Sequence, residues 1–142
     1  MTATNLTTDW EQGRTGRIIY TRIAPNEDLV QTVERLCRDL HMQTAVVRGS
    51  LGSLAQASLE RSSGKTFEVT GNAIELLTIS GEVRMDNAGI PCANIHGTIA
   101  DTEGRVFGGR FVRGRNPVCI TVELVLEEWL AEVPLNAKPL VA

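Results

Sequence analysis

The sequence predicts an α+β fold, an antiparallel or mixed β-sheet packed with one main helix in a compact single domain. Three observations predict it. Residues 27–40 carry the best helical spacing of apolar side chains. From residue 43 onward, β-branched and alternating segments follow one another, separated by short breaks rich in Gly, Asn, Asp and Ser. The 142 residues, 42% hydrophobic and 22% charged, suit one folded core rather than a disordered chain.

Residues 1–15 are polar and aperiodic and are expected to form a flexible arm. "GRIIYTRIA" then reads as a strand and opens the domain proper, residues 16–132. "PNEDLVQTVERLCRDLH" reads as the helix. Asn26 is placed to cap it, with Glu27 and Asp28 in the first turn where the helix dipole favours acids. Leu29, Val33, Leu36 and Leu40 form one stripe, each contributing roughly 1.5–3 kcal/mol on full burial. His41 follows the last apolar residue, where it complements the C-terminal end of the dipole.

The remainder reads as β-structure. "QTAVVRGSLGSLAQASLE" divides into a strand, a Gly-Ser turn and a second strand, and "SSGK" turns the chain into a hairpin. "AIELLTISGEVRM" is apolar enough for a strand covered on both faces, and "DNAG" ends it. "CANIHGTIA" and "RVFGGRFV" pair across "DTEG". "PVCITVELVLEEWL" places Val118, Ile120, Val122, Leu124 and Leu126 on one face. Residues 133–142 form a Pro-punctuated tail.

Composition excludes several function classes. Aromatics make up 4%, too few for base-stacking to be the mode of action, and a net charge of -3 argues against a broad cationic face for DNA. Cys37, Cys92 and Cys119 are odd in number and widely spaced, which speaks for free thiols in a reducing cytoplasm rather than disulfides or a zinc knuckle. No apolar run approaches the ~20 residues of a membrane span, and the first residues lack the apolar middle of a signal peptide.

The stretch "IHGTIADTEGRVFGGRF", residues 95–111, concentrates the chemistry. It is not a P-loop, because Gly109 is followed by Arg110 and Phe111 rather than Lys-Ser/Thr. It is not a dinucleotide fingerprint, because no helix follows its glycines. It reads as a hairpin with Asn94, His96 and Thr98 on one face. Gly108 and Gly109 mark a bulge or a close backbone approach, with Arg110 near the polar row. Two roles for His96 stand side by side: a hydrogen-bonded structural residue, or a general acid/base or ligand residue in a pocket with Asn94 and Arg110.

Four segments in this order resemble the plants-and-prokaryotes conserved (PPC or PCC) domain family, over roughly residues 17–130. "PNEDLVQTVERLCRDL" resembles the family's Pro-Gly-Glu-Asp-Leu opening and first helix, and "VVRGSLGSLAQASL" its Gly-x-Gly-Ser-Leu segment. "IELLTISGEV" resembles its Phe-Glu-Ile-Leu-Ser-Leu-Ser-Gly strand, and "IHGTIADTEGRVFGGRFVRG" its His-bearing Gly-Gly hairpin. The resemblance implies a homotrimer with pockets near subunit boundaries and a fold similar to that of acetolactate decarboxylase, a metal-dependent enzyme. Some prokaryotic members carry a His-x-His pair and a third His after the Gly-Gly. Here those positions hold Asn94, His96 and Arg110, so no metal site of that kind and no cofactor are expected.

The resemblance also extends to plant proteins that join this domain to an AT-hook. "VRGRNPV" nearly spells the hook's Arg-Gly-Arg-Pro core, but Asn116 intervenes and the segment reads as a turn feeding a strand. The plant Gly-Arg-Phe-Glu motif is altered to "GNAIE", which keeps Glu75 alone. The pocket expected from all of this comprises Asn94, His96, Gly108, Gly109 and Arg110, with Arg48 and Glu75, and would take a small anion. The leading expectation is a homotrimeric module that binds a small ligand or a protein partner. The alternatives are an enzyme on small carboxylate or acyl substrates, with His96 as acid/base and Arg110 or Arg48 holding the anion, and a DNA-associated protein.

Overall fold

The computed structural model describes residues 8–133. In chain order the elements are β1 (Gln12–Ile23), α1 (Leu29–Asp39), β2 (Thr44–Glu60), β3 (Thr66–Met85), β4 (Pro91–Ala100), β5 (Val106–Phe111) and β6 (Val118–Val133). β1 begins four residues inside the segment expected to be an arm, because residues 12–15 pair with β6. The rest of the expected tail, residues 134–142, and residues 1–7 lie outside the described residues.

The strands form one sheet in the order β1-β6-β2-β3-β4-β5, and every ladder is antiparallel. β2 is its organiser. Its first half lies between β6 and β3, and its last residues also pair with β5, Leu59 opposite Phe111 and Glu60 opposite Arg110. The β2–β3–β4–β5 half therefore closes on itself. The interior of the sheet and the covered face of α1 share one aliphatic core that includes Leu29, Val33, Leu54, Leu59, Ile74, Ile95, Ile99, Leu124 and Leu126. Aliphatic side chains fill this space because the chain has few aromatic ones.

Three hairpins share one turn geometry. In each, the first residue's N–H donates to the carbonyl four residues on, and a glycine N–H donates back: Arg61 to Lys65 with Gly64, Asp86 to Ile90 with Gly89, Asp101 to Arg105 with Gly104. The glycines have φ of 83°, 77° and 81°, the left-handed position that a three-residue hairpin loop requires. Asp86 and Asp101 add side-chain bonds to the turn N–H groups of Ala88 and Ile90, and of Glu103 and Arg105.

Five expectations are corrected. The Gly-Ser break in β2 is not a turn. Gly49 and Gly52 mark two shifts of the β2–β6 register, and the strand continues through them. The N-cap of α1 is Asp28, whose carboxylate accepts from the Gln31 N–H at 2.9 Å. Asn26 precedes it with φ 68° and donates its N–H to Val118. The covered face of α1 is Leu29, Val30, Thr32, Val33, Glu34 and Cys37, while Leu36 and Leu40 are half-buried. Ile120 is 70% exposed, because between the pairs Val118–Leu54 and Val122–Gly52 β6 has three residues, 119–121, where β2 has only Ser53. Leu77 is 45% exposed, so β3 is not covered on both faces within one chain. His41 closes the helix with φ 54°, its N–H donating to Arg38.

Candidate functional site

The β4–β5 ladder sets the site. His96 lies opposite Arg110, Gly97 opposite Gly109 and Thr98 opposite Gly108. Alternation buries Ile95 and Ile99 and turns Asn94 and His96 outward. Beside them runs a cleft of about 670 Å³ lined by Asn94, His96, Gly108, Gly109 and Arg110, and by Glu60, Arg61 and Ser62 from the β2–β3 hairpin.

The two glycines have different reasons. A Cβ at Gly109 would stand 2.8 Å from the Glu60 carbonyl oxygen, where the end of β2 joins β5. At Gly108 the nearest atom would be 3.4 Å away, an ordinary contact, so this residue leaves the cleft floor open rather than admitting a crossing chain. Gly97, opposite Gly109, makes room for the Phe111 ring, which would lie 2.8 Å from a Cβ there.

The charges are unevenly matched. Arg110 Nη2 holds Glu60 Oε2 at 2.6 Å. Of the chain's twelve arginines, eleven make an ion pair with Asp or Glu. Arg61 is the exception among the described residues. Its guanidinium lies 4.5 Å above the Phe67 ring, which packs at 6.0 Å against Phe107. The His96 side chain is exposed and has no hydrogen-bond partner among the described residues.

Asn94, His96, Gly108, Gly109 and Arg110 thus come together, whereas Arg48 and Glu75 stand elsewhere. Arg48 pairs with Glu127 at 2.8 Å, opposite Ser80 on β3, which in turn faces His96. That places it two strand spacings, about 10 Å, from the histidine. Glu75 lines a different cavity of about 320 Å³ with Leu51, Ala73 and Ile120. Glu60, Arg61 and Ser62 were missed. In "LERSSGK" only the turn residues carry a sequence signal, and the pairing of β2 with β5 that brings Glu60 to Arg110 has none.

The residues do not fit a metal. Asn94, His96 and Arg110 offer one imidazole, and the guanidinium at the third position has no lone pair to give and brings a positive charge. No group of three or more His, Cys, Asp or Glu placed to hold a metal ion occurs among the described residues. The segment "VRGRNPV" is a loop pinned to the body. Arg113 Nε holds Glu34 at 2.7 Å, Arg115 lies 3.6 Å from Glu68, and Asn116 is fully buried. Among the described residues, no helix is long and apolar enough to cross a membrane.

Comparison with known proteins places this architecture. The chain is 31% identical over 117 residues to the bifunctional protein GlmU of Synechococcus sp. strain JA-3-3Ab, a match covering 80% of this chain. The GlmU of strain JA-2-3B'a(2-13) is likewise 31% identical, over 115 residues and 79% of this chain. The match spans only 17% of the length of either relative. The crystal structure of a plant- and prokaryote-conserved protein from Pyrococcus horikoshii superimposes with a TM-score of 0.76 at 24% identity, covering 88% of this chain and 87% of that one. A metal-containing protein from Archaeoglobus fulgidus superimposes with a TM-score of 0.73 at 20% identity, covering 89% of each chain. Residues 10–130 match the Plants and Prokaryotes Conserved (PCC) domain, and the chain belongs to that family.

Proposed function

We propose that this PCC domain is a homotrimeric regulatory module that binds a small anion in the Glu60–Arg110 cleft. The observation that carries the reading is Arg61. It is the one arginine without an acidic partner among the described residues, and it stands at the cleft beside His96 over a floor made open by Gly108. A guanidinium and an imidazole converging on such a cleft favour a carboxylate or phosphate group.

Binding rather than catalysis is supported by what surrounds His96. No acceptor orients its ring among the described residues, and the side chain is exposed, whereas an acid/base histidine is ordinarily fixed by a third group. The compensation of the other arginines by acids leaves little excess cationic surface for DNA phosphates. A trimer is supported by the exposed Leu51 and Ile120, 66% and 70% accessible, around the cavity that holds Glu75. The match to one segment of longer bifunctional proteins supports a module that serves other domains. Free thiols without a disulfide fit the cytoplasm.

Isothermal titration of the protein with inorganic phosphate and with malonate tests the reading. Saturable binding is expected, weakened about tenfold or more by Arg61→Ala. Absence of binding by both anions overturns it, as does binding that Arg61→Ala leaves intact.

A further inference from the structure

A second, smaller cavity of about 280 Å³ lies behind the cleft, lined by Val30, Ala93, Phe111, Val112 and Arg113 together with Glu60 and Arg110. Glu60 and Arg110 are the residues common to the two cavities. Their ion pair is therefore the wall between them. The wall is a weak one. The side chains are 29% and 46% exposed, so water screens the pair. Their backbones are fixed opposite each other by the β2–β5 ladder, so the two side chains can part while the strands stay in place.

We propose that the Glu60–Arg110 pair is a gate, and that with the gate open the two cavities form one groove for an elongated molecule bearing an anionic group at each end and an apolar middle, of the α,ω-dicarboxylate class. This rests on the anion-binding reading of the cleft and extends it. The near end supplies Arg61 and His96. The far end supplies Arg113, which uses Nε rather than its terminal nitrogens to hold Glu34. Glu34 is itself fixed by the Ala93 N–H at 3.1 Å, so Arg113 is positioned without its fork being used up. Between the ends, Val30 and Phe111, 2% and 3% exposed, form an apolar floor. An anion reaching Arg110 competes with Glu60 for the guanidinium, and the displaced carboxylate opens the way to Arg113.

The test compares malonate, glutarate, adipate and suberate by calorimetry and by amide chemical shifts. In the unaltered protein, affinity is expected to rise along the series and then level off or fall. The amides of Val112 and Arg113 should move with the longer acids and stay in place with malonate. Glu60→Gln, which removes the competing carboxylate, should raise affinity for malonate about tenfold. Arg113→Gln should remove the advantage of the longer acids and leave malonate unchanged. Binding of malonate with no dependence on length, or with Glu60→Gln neutral, overturns the gated groove while the anion cleft stands. Failure of every acid and of phosphate overturns the cleft and the groove together.

Discussion

The Asn116 main-chain N–H donates to Asp28 Oδ1 at 2.7 Å, tying the loop before β6 to the cap of α1. The other Asp28 oxygen accepts from the N–H groups of Gln31 and Gly114, and the Asn116 carbonyl accepts from Leu29. The buried Asn116 amide accepts from the Ser58 N–H and donates to the Val112 carbonyl, both at 2.8 Å. One residue pair thus joins the helix, the end of β2 and the loop carrying Arg113. Asn116→Ala strands the buried Ser58 N–H and leaves the Val112 carbonyl with the Arg115 N–H alone, and is expected to cost about 1–3 kcal/mol in urea unfolding. Asp28→Ala, whose site is more exposed, is expected to cost about 1–2 kcal/mol.

Ser58 behaves in the opposite way. Its N–H is matched by Asn116, but its buried Oγ has no hydrogen-bond partner among the described residues. Removing an unmatched buried hydroxyl relieves desolvation and costs few contacts. Ser58→Ala is expected to leave stability unchanged or to raise it by up to about 1 kcal/mol, against the loss from Asn116→Ala next to it. A loss above about 1 kcal/mol in the same urea experiment would mean that Oγ has a partner.

The contrast between these residues shows what the sequence makes legible. Turn residues act locally, so "SSGK", "DNAG" and "DTEG" each mark a hairpin, and alternation about Ile95 places Asn94 and His96 together on the outer face. Asn116 looks like a residue that spoils an Arg-Gly-Arg-Pro motif, because its partners Asp28 and Ser58 are far away in the chain. Glu60 is hidden for the same reason, since only the closure of β2 onto β5 brings it to Arg110. Ile120 continues the apolar row of β6 in sequence, and the bulge against Gly52 and Leu54, a property of two strands at once, turns it out.

Gly108 and Gly109 separate open space from close packing. Gly109→Ala would press a methyl group against the Glu60 carbonyl and Leu59, neither of which can retreat without disturbing the β2–β5 ladder. A loss of about 1–3 kcal/mol is expected. Gly108→Ala meets only ordinary contacts and is expected to stay within about 0.5 kcal/mol of the parent when both variants are unfolded in urea. Equal effects at the two positions would contradict this assignment of the cleft floor.

Glu128 makes folding sensitive to acid. Hydrogen bonds from the Arg17 side chain, then from its main-chain N–H, hold the carboxyl down at about 2, against 4.5 for the free group. Because the folded value is depressed, this contribution is fully present above about 4.5 and is lost as the pH falls towards 2. Arg17 is 48% exposed and solvent screens its side of the pair, so Glu128→Gln should cost only about 1–2 kcal/mol at pH 7. The difference between variant and parent should shrink steadily below pH 4.5. A difference independent of pH would show that the charge on Glu128 contributes nothing.

The three thiols should react in a fixed order with an aromatic disulfide reagent. Cys92 is exposed and should be modified first. Cys37 is on the covered face of α1, and burial, with the nearby Glu34 charge, pushes its thiol up to about 11, so that at pH 8 only about one in a thousand is thiolate. It should react only when the protein unfolds, and modification of Cys37 at the rate of Cys92 would contradict the core position of this face of the helix. Cys119 is partly buried, with Sγ 3.7 Å from the Asn72 carbonyl, and adjoins the exposed Ile120. Its rate reports on assembly. If the surface around Leu51 and Ile120 is covered in a trimer, Cys119 should be protected at high protein concentration and become reactive on dilution. A rate independent of concentration, over a range in which the state of association changes, would put the subunit contact on another face.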